Sequence, residues 1–322
     1  MNTPLVFVDG HEGTTGLKIH QLLAQRSDLT LIQIDPDKRK DPQARAAMLN
    51  QADIAFLCLP DAASKEAATL TTNPKTCLID ASTAHRIDPA WAYGLPELSA
   101  EHRDAIRTST RISNPGCHAT GFILLAHPLV KAGVIAPDTV LSATSITGYS
   151  GGGKTMIADY EAKLSQPWQP DATEVLMAPR PYGLSLAHKH LPEMRMHSGL
   201  SATPIFMPIV APFAQGLTVS IPLPLKGLNA DGAHLQATLA AHYAGQANIR
   251  VHALNPMDAL DGGFFPVQSC NNTNRVDLFV FASSEQAILM ARLDNLGKGA
   301  SGAAIQSMNI HLGLPENTGL SL

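Results

Sequence analysis

The chain opens on short apolar runs bounded by turn residues, each followed by apolar positions at helical spacing. Leu5-Val6-Phe7-Val8-Asp9 predicts a buried strand, and Leu17, Ile19, Leu22 and Leu23 behind it predict one face of a helix. The same rhythm predicts strands over 29–35, 54–59 and 76–80, with helices over 43–50 and 63–70. Strands and helices alternating at this spacing give βαβ units and a parallel sheet. A short strand over 111–113 then leads into an apolar segment, 121–130, that reads as a buried helix. Beyond it the rhythm changes. Strands are predicted over 139–147, 203–210, 217–225, 249–253, 276–282 and 287–293, and helices over 156–164, 234–243 and 299–312, with a Pro-rich irregular stretch over 166–192. Long strands with few helices between them predict a more antiparallel second domain. No internal repeat or linker separates the halves, which places the domain boundary at Cys117 itself.

Composition narrows the function classes. The 322 residues leave room for two domains. A net charge of −4 argues against nucleic acid as a partner, because phosphate neutralisation needs a basic surface. No signal peptide and no membrane-spanning apolar run is read from the chain. The four cysteines, Cys58, Cys77, Cys117 and Cys270, show neither metal spacing nor disulfide density, so no metal is expected and a reducing cytoplasm is the expected location.

Three stretches carry candidate chemistry. In Ser113-Asn114-Pro115-Gly116-Cys117-His118 a turn delivers Cys117 to the start of a helix. Unpaired backbone N–H groups and the helix dipole there favour thiolate, the nucleophilic form, although a Cys is more commonly a small buried hydrophobe. Gly10, Gly13 and Gly16 follow the first strand and open a helix, a variant of the dinucleotide fingerprint that also brings Thr14 and Thr15 to the helix start. Asp35 stands where an acid would grip the ribose 2′-hydroxyl of NAD, but Lys38, Arg39 and Lys40 follow it and could meet a 2′-phosphate or simply be a solvated charge run. His188-Lys189-His190-Leu191-Pro192-Glu193 gathers two imidazoles and a carboxylate, the parts of a general acid/base. A rival motif is Gly148-Tyr149-Ser150-Gly151-Gly152-Gly153-Lys154-Thr155, which matches the P-loop pattern and would make the chain a nucleotide triphosphatase. The β-rich, Pro-rich sequence downstream disfavours that reading, since a P-loop needs further βαβ units.

Taken together with Tyr93-Gly94-Leu95-Pro96-Glu97-Leu98 and the run from Leu293 through Gly299 to Asn309, these motifs resemble the N-acetyl-γ-glutamyl-phosphate reductases, relatives of aspartate-semialdehyde dehydrogenase. The resemblance runs nearly end to end. His11-Glu12 in the fingerprint, the altered Ser82-Thr83-Ala84-His85-Arg86 and the short chain fit a shorter subgroup. The resemblance implies an α/β protein: a Rossmann-like NADP-binding domain over 1–116 plus 299–322, and an α+β catalytic and oligomerisation domain over 117–298. It implies NADPH-dependent reduction of an acyl phosphate through a Cys117 thioester, in arginine biosynthesis; aspartyl phosphate is the alternative substrate. His190 is implied as acid/base, with His188 the alternative and Glu193 orienting. Lys38, Arg39, Ser150, Gly151 and Asn295 are implied as cofactor contacts besides the Gly-rich turn, and Arg86 and Lys154 as ligands of the substrate's anionic groups. A homodimer or homotetramer is expected.

Overall fold

The computed structural model describes residues 3–11, 13–165 and 175–322; Glu12 and the Pro-rich residues 166–174 lie outside the described residues. The chain divides into one unit of Met1–Gly116 with Ala300–Ser321 and a second of Cys117–Gly299.

The first unit holds a six-stranded parallel sheet of β1 Leu5–Asp9, β2 Thr30–Ile32, β3 Ile54–Leu57, β4 Cys77–Asp80, β5 Ala92–Tyr93 and β6 Arg111–Ser113, in the order β2-β1-β3-β4-β6-β5. The period of two sorts its side chains. Val6, Val8, Ile54, Phe56, Cys77 and Ile79 join one core layer, while Phe7, Ala55, Leu57 and Leu78 join the other. Both faces are covered, so these strands read as continuous apolar runs. Helix α1, Thr14–Leu23, contributes Ile19 and Leu23 to the first layer. Helices α2, Pro42–Gln51, and α3, Asp61–Leu70, contribute Leu49 and Ala67 to the second.

The strand expected over 29–35 is shorter. Pro36 opens a 3₁₀ turn, Pro36–Lys38, and the Asp35 carboxylate caps it by accepting from the Asp37 amide at 3.1 Å. Helix α4, Ala100–Thr108, was not legible because Ile106 is its one buried residue. A π-helical turn, Gly297–Ser301, leads into the C-terminal helix Gly302–His311, which is buried on all sides. Its buried amides are paired: Gln306 Nε2 donates to Glu97 at 2.9 Å and to Glu316 at 2.8 Å, and Asn309 Nδ2 donates to the Glu316 carbonyl at 2.8 Å.

The second unit is a seven-stranded sheet of β7 Ser142–Gly148, β8 Arg180–Pro181, β9 Ile205–Ala211, β10 Leu217–Pro224, β11 Ile249–Val251, β12 Val276–Ala282 and β13 Gln286–Leu293, in the order β11-β12-β13-β10-β7-β9-β8. It is mixed: β7–β9 and β11–β12 are parallel, the other neighbours antiparallel. Helix α5, Cys117–Lys131, packs on β10 and β13, with Gly121 where a Cβ would meet Val219 Cγ2 at 2.8 Å. Pro128 inside α5 cannot donate to the Leu124 carbonyl, and the Tyr243 hydroxyl donates to it instead at 2.7 Å. Helices α6, Gly153–Leu164, α7, Leu191–Ser198, and α8, Gly232–His242, complete the unit.

The P-loop expectation ends here. The strand before the glycines, β7, pairs antiparallel with β10, and residues 149–152 form a 3₁₀ turn rather than a phosphate-wrapping loop. Among the described residues, no helix is long and apolar enough to cross a membrane, and no group of three His, Cys, Asp or Glu is placed to hold a metal ion.

Candidate active site

Cys117 is the first residue of α5 and is half-buried. The turn that delivers it is anchored in the first unit, where the Asn114 amide donates to the Asp80 carbonyl at 2.7 Å and Asn114 Nδ2 to the Ala300 carbonyl at 2.9 Å.

The irregular stretch expected up to residue 192 ends earlier, at α7. His190 caps that helix, and Pro192 lies in its first turn, where a missing N–H costs no hydrogen bond. His190 and Glu193 are buried. The His190 backbone N–H donates to His188 Nδ1 at 3.1 Å, so a neutral His188 carries its proton on Nε2. The two rings meet edge to face, 4.7 Å between centroids.

Two residues missed in the sequence complete the cluster. His118 is next to Cys117 in the chain, and its ring lies 5.5 Å from that of His190 and 5.7 Å from that of His188. Its Nδ1 is 2.7 Å from Ser145 Oγ and its Nε2 is 3.0 Å from the Tyr182 hydroxyl. Burial, with the positive charges of His188 and Lys189 adding to it, pushes the His118 pKa down to about 3. Burial also raises the Tyr182 pKa, and negative charge at Cys117 raises it further. Adjacency to Cys117 was a usable signal for His118; for Tyr182 there was none.

Of the other expected residues in this unit, Ser150 and Asn295 come together. Asn295 Nδ2 donates to Ser150 Oγ at 2.9 Å, and Asn295 Oδ1 accepts from the Gly216 amide at 2.9 Å. A Cβ on Gly151 would lie 3.6 Å from Asn295 Nδ2. Lys154 is exposed in the first turn of α6.

In the first unit the glycines build a cradle. Gly10 has φ +87°, and a Cβ on it would stand 2.4 Å from the Cys58 carbonyl; one on Gly16 would stand 2.4 Å from the Gly10 carbonyl. Both contacts exclude any side chain. The Gly13 amide donates to the Gly10 carbonyl at 3.1 Å, and α1 begins at once with Thr14 and Thr15. Thr14 Oγ1 is buried with no hydrogen-bond partner among the described residues. Next to the turn is a cavity of about 380 Å³ lined by Val8, Gly10, His11, Ile34, Arg39 and Lys40. Lys38, on the 3₁₀ turn, is exposed and does not line it. Arg86 is buried; its Nε donates to the Asn114 carbonyl at 2.9 Å and its Nη2 to the Ala81 carbonyl at 3.2 Å.

A parallel sheet whose first strand runs through such a glycine turn into a helix is a dinucleotide-binding fold. Two family profiles match the chain: semialdehyde dehydrogenase, NAD binding domain, over residues 35–106, and semialdehyde dehydrogenase, dimerisation domain, over residues 117–295. The N-acetyl-gamma-glutamyl-phosphate reductase 2 of Pseudomonas putida is 47% identical over 97% of this chain and 98% of its own length. The N-acetyl-gamma-glutamyl-phosphate reductase of Mesorhizobium japonicum is 48% identical over 97% of this chain and 99% of its own. Among solved structures, aspartate semialdehyde dehydrogenase II of Vibrio cholerae superposes with a TM-score of 0.70 at 16% identity, covering 97% of this chain and 99% of that one, a likeness of fold. The chain is thus a dehydrogenase of the class that uses a nicotinamide dinucleotide. It belongs to the semialdehyde dehydrogenase family, in its N-acetyl-γ-glutamyl-phosphate reductase branch.

Proposed function

We propose that this chain reduces N-acetyl-γ-glutamyl phosphate to N-acetylglutamate 5-semialdehyde with release of phosphate, a step of arginine biosynthesis, through a thioester on Cys117. The observation that carries the reading is Cys117 at the start of α5 in the same unit as the buried His190 and its half-buried neighbour His188. The Cys117 thiolate attacks the acyl carbon; the C–S bond forms, the C–O bond to phosphate breaks, and phosphate leaves. NADPH, when bound, supplies the hydride. His190 gives a proton to the oxygen that becomes anionic and takes it back as the C–S bond breaks, which releases the aldehyde and restores the thiolate. His188 is the alternative for that role, and Glu193 in the first turn of α7 orients the pair.

The residues present fit NADP. Gly10, Gly13, Thr14, Thr15 and Gly16 would hold the pyrophosphate at the α1 N-terminus, with the unpartnered Thr14 hydroxyl as a donor. Arg39 and Lys40 line the neighbouring cavity, next to Lys38 in the chain, and suit a 2′-phosphate carrying nearly two negative charges. Asp35 is turned to the Asp37 amide, which supports NADP over NAD. Asn295 serves by holding Ser150 and Gly151 in the turn that would meet the nicotinamide. Arg86 and Lys154 are the ligands proposed for the substrate's anionic groups.

The first unit is the NADP-binding domain in this reading, and the second the catalytic and oligomerisation domain. A second copy of the chain is the partner proposed for the open sheet face, where Ile205, Met207 and Ile288 are exposed. That contact gives a homodimer or homotetramer, and the cytoplasm is the compartment of the substrate. The test is the reverse reaction: purified protein with N-acetylglutamate 5-semialdehyde, NADP and phosphate should generate NADPH absorbance. Turnover of aspartate semialdehyde instead would overturn the substrate assignment.

A further inference from the structure

His118 is adjacent to the nucleophile, yet the reaction above does not use it. The directions of its hydrogen bonds can be read from the geometry. Ser145 has one proton, and it donates that proton to the Thr218 carbonyl at 2.8 Å. Toward His118 it is therefore an acceptor, and the 2.7 Å contact requires the proton of the imidazole on Nδ1. Burial keeps the ring neutral near pH 7, so Nε2 is a bare lone pair. The 3.0 Å contact between Nε2 and Tyr182 is then made by the Tyr182 O–H. The string Tyr182–His118–Ser145 ends on a backbone carbonyl, which has no proton to pass on. It cannot relay protons to solvent. It can hold an orientation.

We propose that His118 is a positioning residue for the reductase reaction: by accepting the hydrogen bond of the Tyr182 hydroxyl it presents the Tyr182 oxygen as a fixed hydrogen-bond acceptor to the His188–His190 pair. The pair offers the complementary donor, because His188 accepts on Nδ1 and carries its proton on Nε2, and its ring lies 5.8 Å from that of Tyr182. With its proton committed to His118 and its pKa raised, first by burial, Tyr182 is not the acid that protonates the substrate oxygen. It sets which face of the acid/base imidazole points at the acyl group. The inference rests on the acid/base role given to His190 and His188.

The test uses two replacements of His118 that each keep one of its bonds. His118→Asn places an amide near the Nδ1 position and keeps the contact to Ser145; His118→Gln reaches the Nε2 position and restores an acceptor for Tyr182. His118→Asn and Tyr182→Phe should each lower kcat about tenfold, with the KM for the aldehyde within about twofold of wild type. The double variant should be no worse than either single one, since both break the same bond. His118→Gln should recover at least about fivefold in kcat over His118→Asn. Equal losses in the Asn and Gln variants, or multiplying losses in the double variant, would overturn the proposal. If the His118 variants do not fold, Tyr182→Phe decides alone: wild-type kcat overturns the proposal, and a tenfold loss at unchanged KM supports it. His188→Asn and His190→Asn run alongside. If neither lowers kcat, the acid/base reading itself fails; if one does while His118→Asn and Tyr182→Phe match wild type, only the present inference fails.

Discussion

Gly299 stands against Cys117: a Cβ on Gly299 would lie 2.8 Å from the Cys117 Cβ and 3.3 Å from its Cα. The same Cβ would lie 3.0 Å from the Asp294 carbonyl, to which the Gly299 amide donates at 2.9 Å. The start of α5 and the end of the 294–299 loop are therefore fitted to each other with hydrogen as the only side chain between them. Gly299→Ala must shift one of the two. The expected result is a loss of turnover on the order of tenfold or more, slower alkylation of Cys117, and a stability loss of about 1–3 kcal/mol. Thermal unfolding and iodoacetamide kinetics on the purified variant check this, and wild-type alkylation would show that the fit is slack.

Replacing the nucleophile separates chemistry from binding. Cys117→Ser should abolish turnover while leaving NADPH affinity close to wild type, because a helix N-terminus does not convert a hydroxyl into a nucleophile as it does a thiol. A variant with even about a tenth of wild-type activity, a loss of one RT ln 10 step, would rule out the covalent route.

The cavity lining sharpens the expectation for the cofactor. Arg39→Ala and Lys40→Ala should raise the KM for NADPH and leave that for NADH nearly unchanged, while Lys38→Ala, outside the lining, should have the smaller effect. Equal effects on both cofactors would mean that the basic cluster is a solvated surface run.

Acid should destabilise the protein through His118. Its folded pKa is lowered, to about 3, so between that value and an unfolded pKa near 6.5 the unfolded chain binds the extra proton. Stability from this group is present above pH 6.5 and is lost as the pH falls, on the order of 2 kcal/mol by pH 5. Urea titrations of wild type and His118→Phe at pH 7 and pH 5 should show a smaller loss in the variant. His252 and His311, whose pKa values burial also lowers, add to the slope in both proteins alike.

Local order was readable wherever burial is governed by period. The strands from Leu5 to Asp80 are covered on both faces and show as apolar runs, and the glycines after the first strand announce a backbone approach that only they permit. The Asn-Pro-Gly turn likewise placed Cys117 at a helix start, because turn chemistry is a property of adjacent residues.

Features that depend on partners distant in sequence were not readable. Helix α4 buries one side chain and has no visible face; α7 begins inside what looked like an irregular Pro-rich stretch. The second sheet is mainly antiparallel, as its long strands implied, but its two parallel pairs, β7–β9 and β11–β12, were not legible, because strand direction is set by crossovers that leave no local signature. The same holds at the active site. By itself the sequence determined a helix-start cysteine, a glycine cradle and a histidine motif, all of them short-range patterns. Only the tertiary structure decided that His118, Ser145 and Tyr182 form one hydrogen-bonded string within the second unit, since Ser145 is 27 residues from His118 and Tyr182 is 64, and only packing brings their polar atoms within reach.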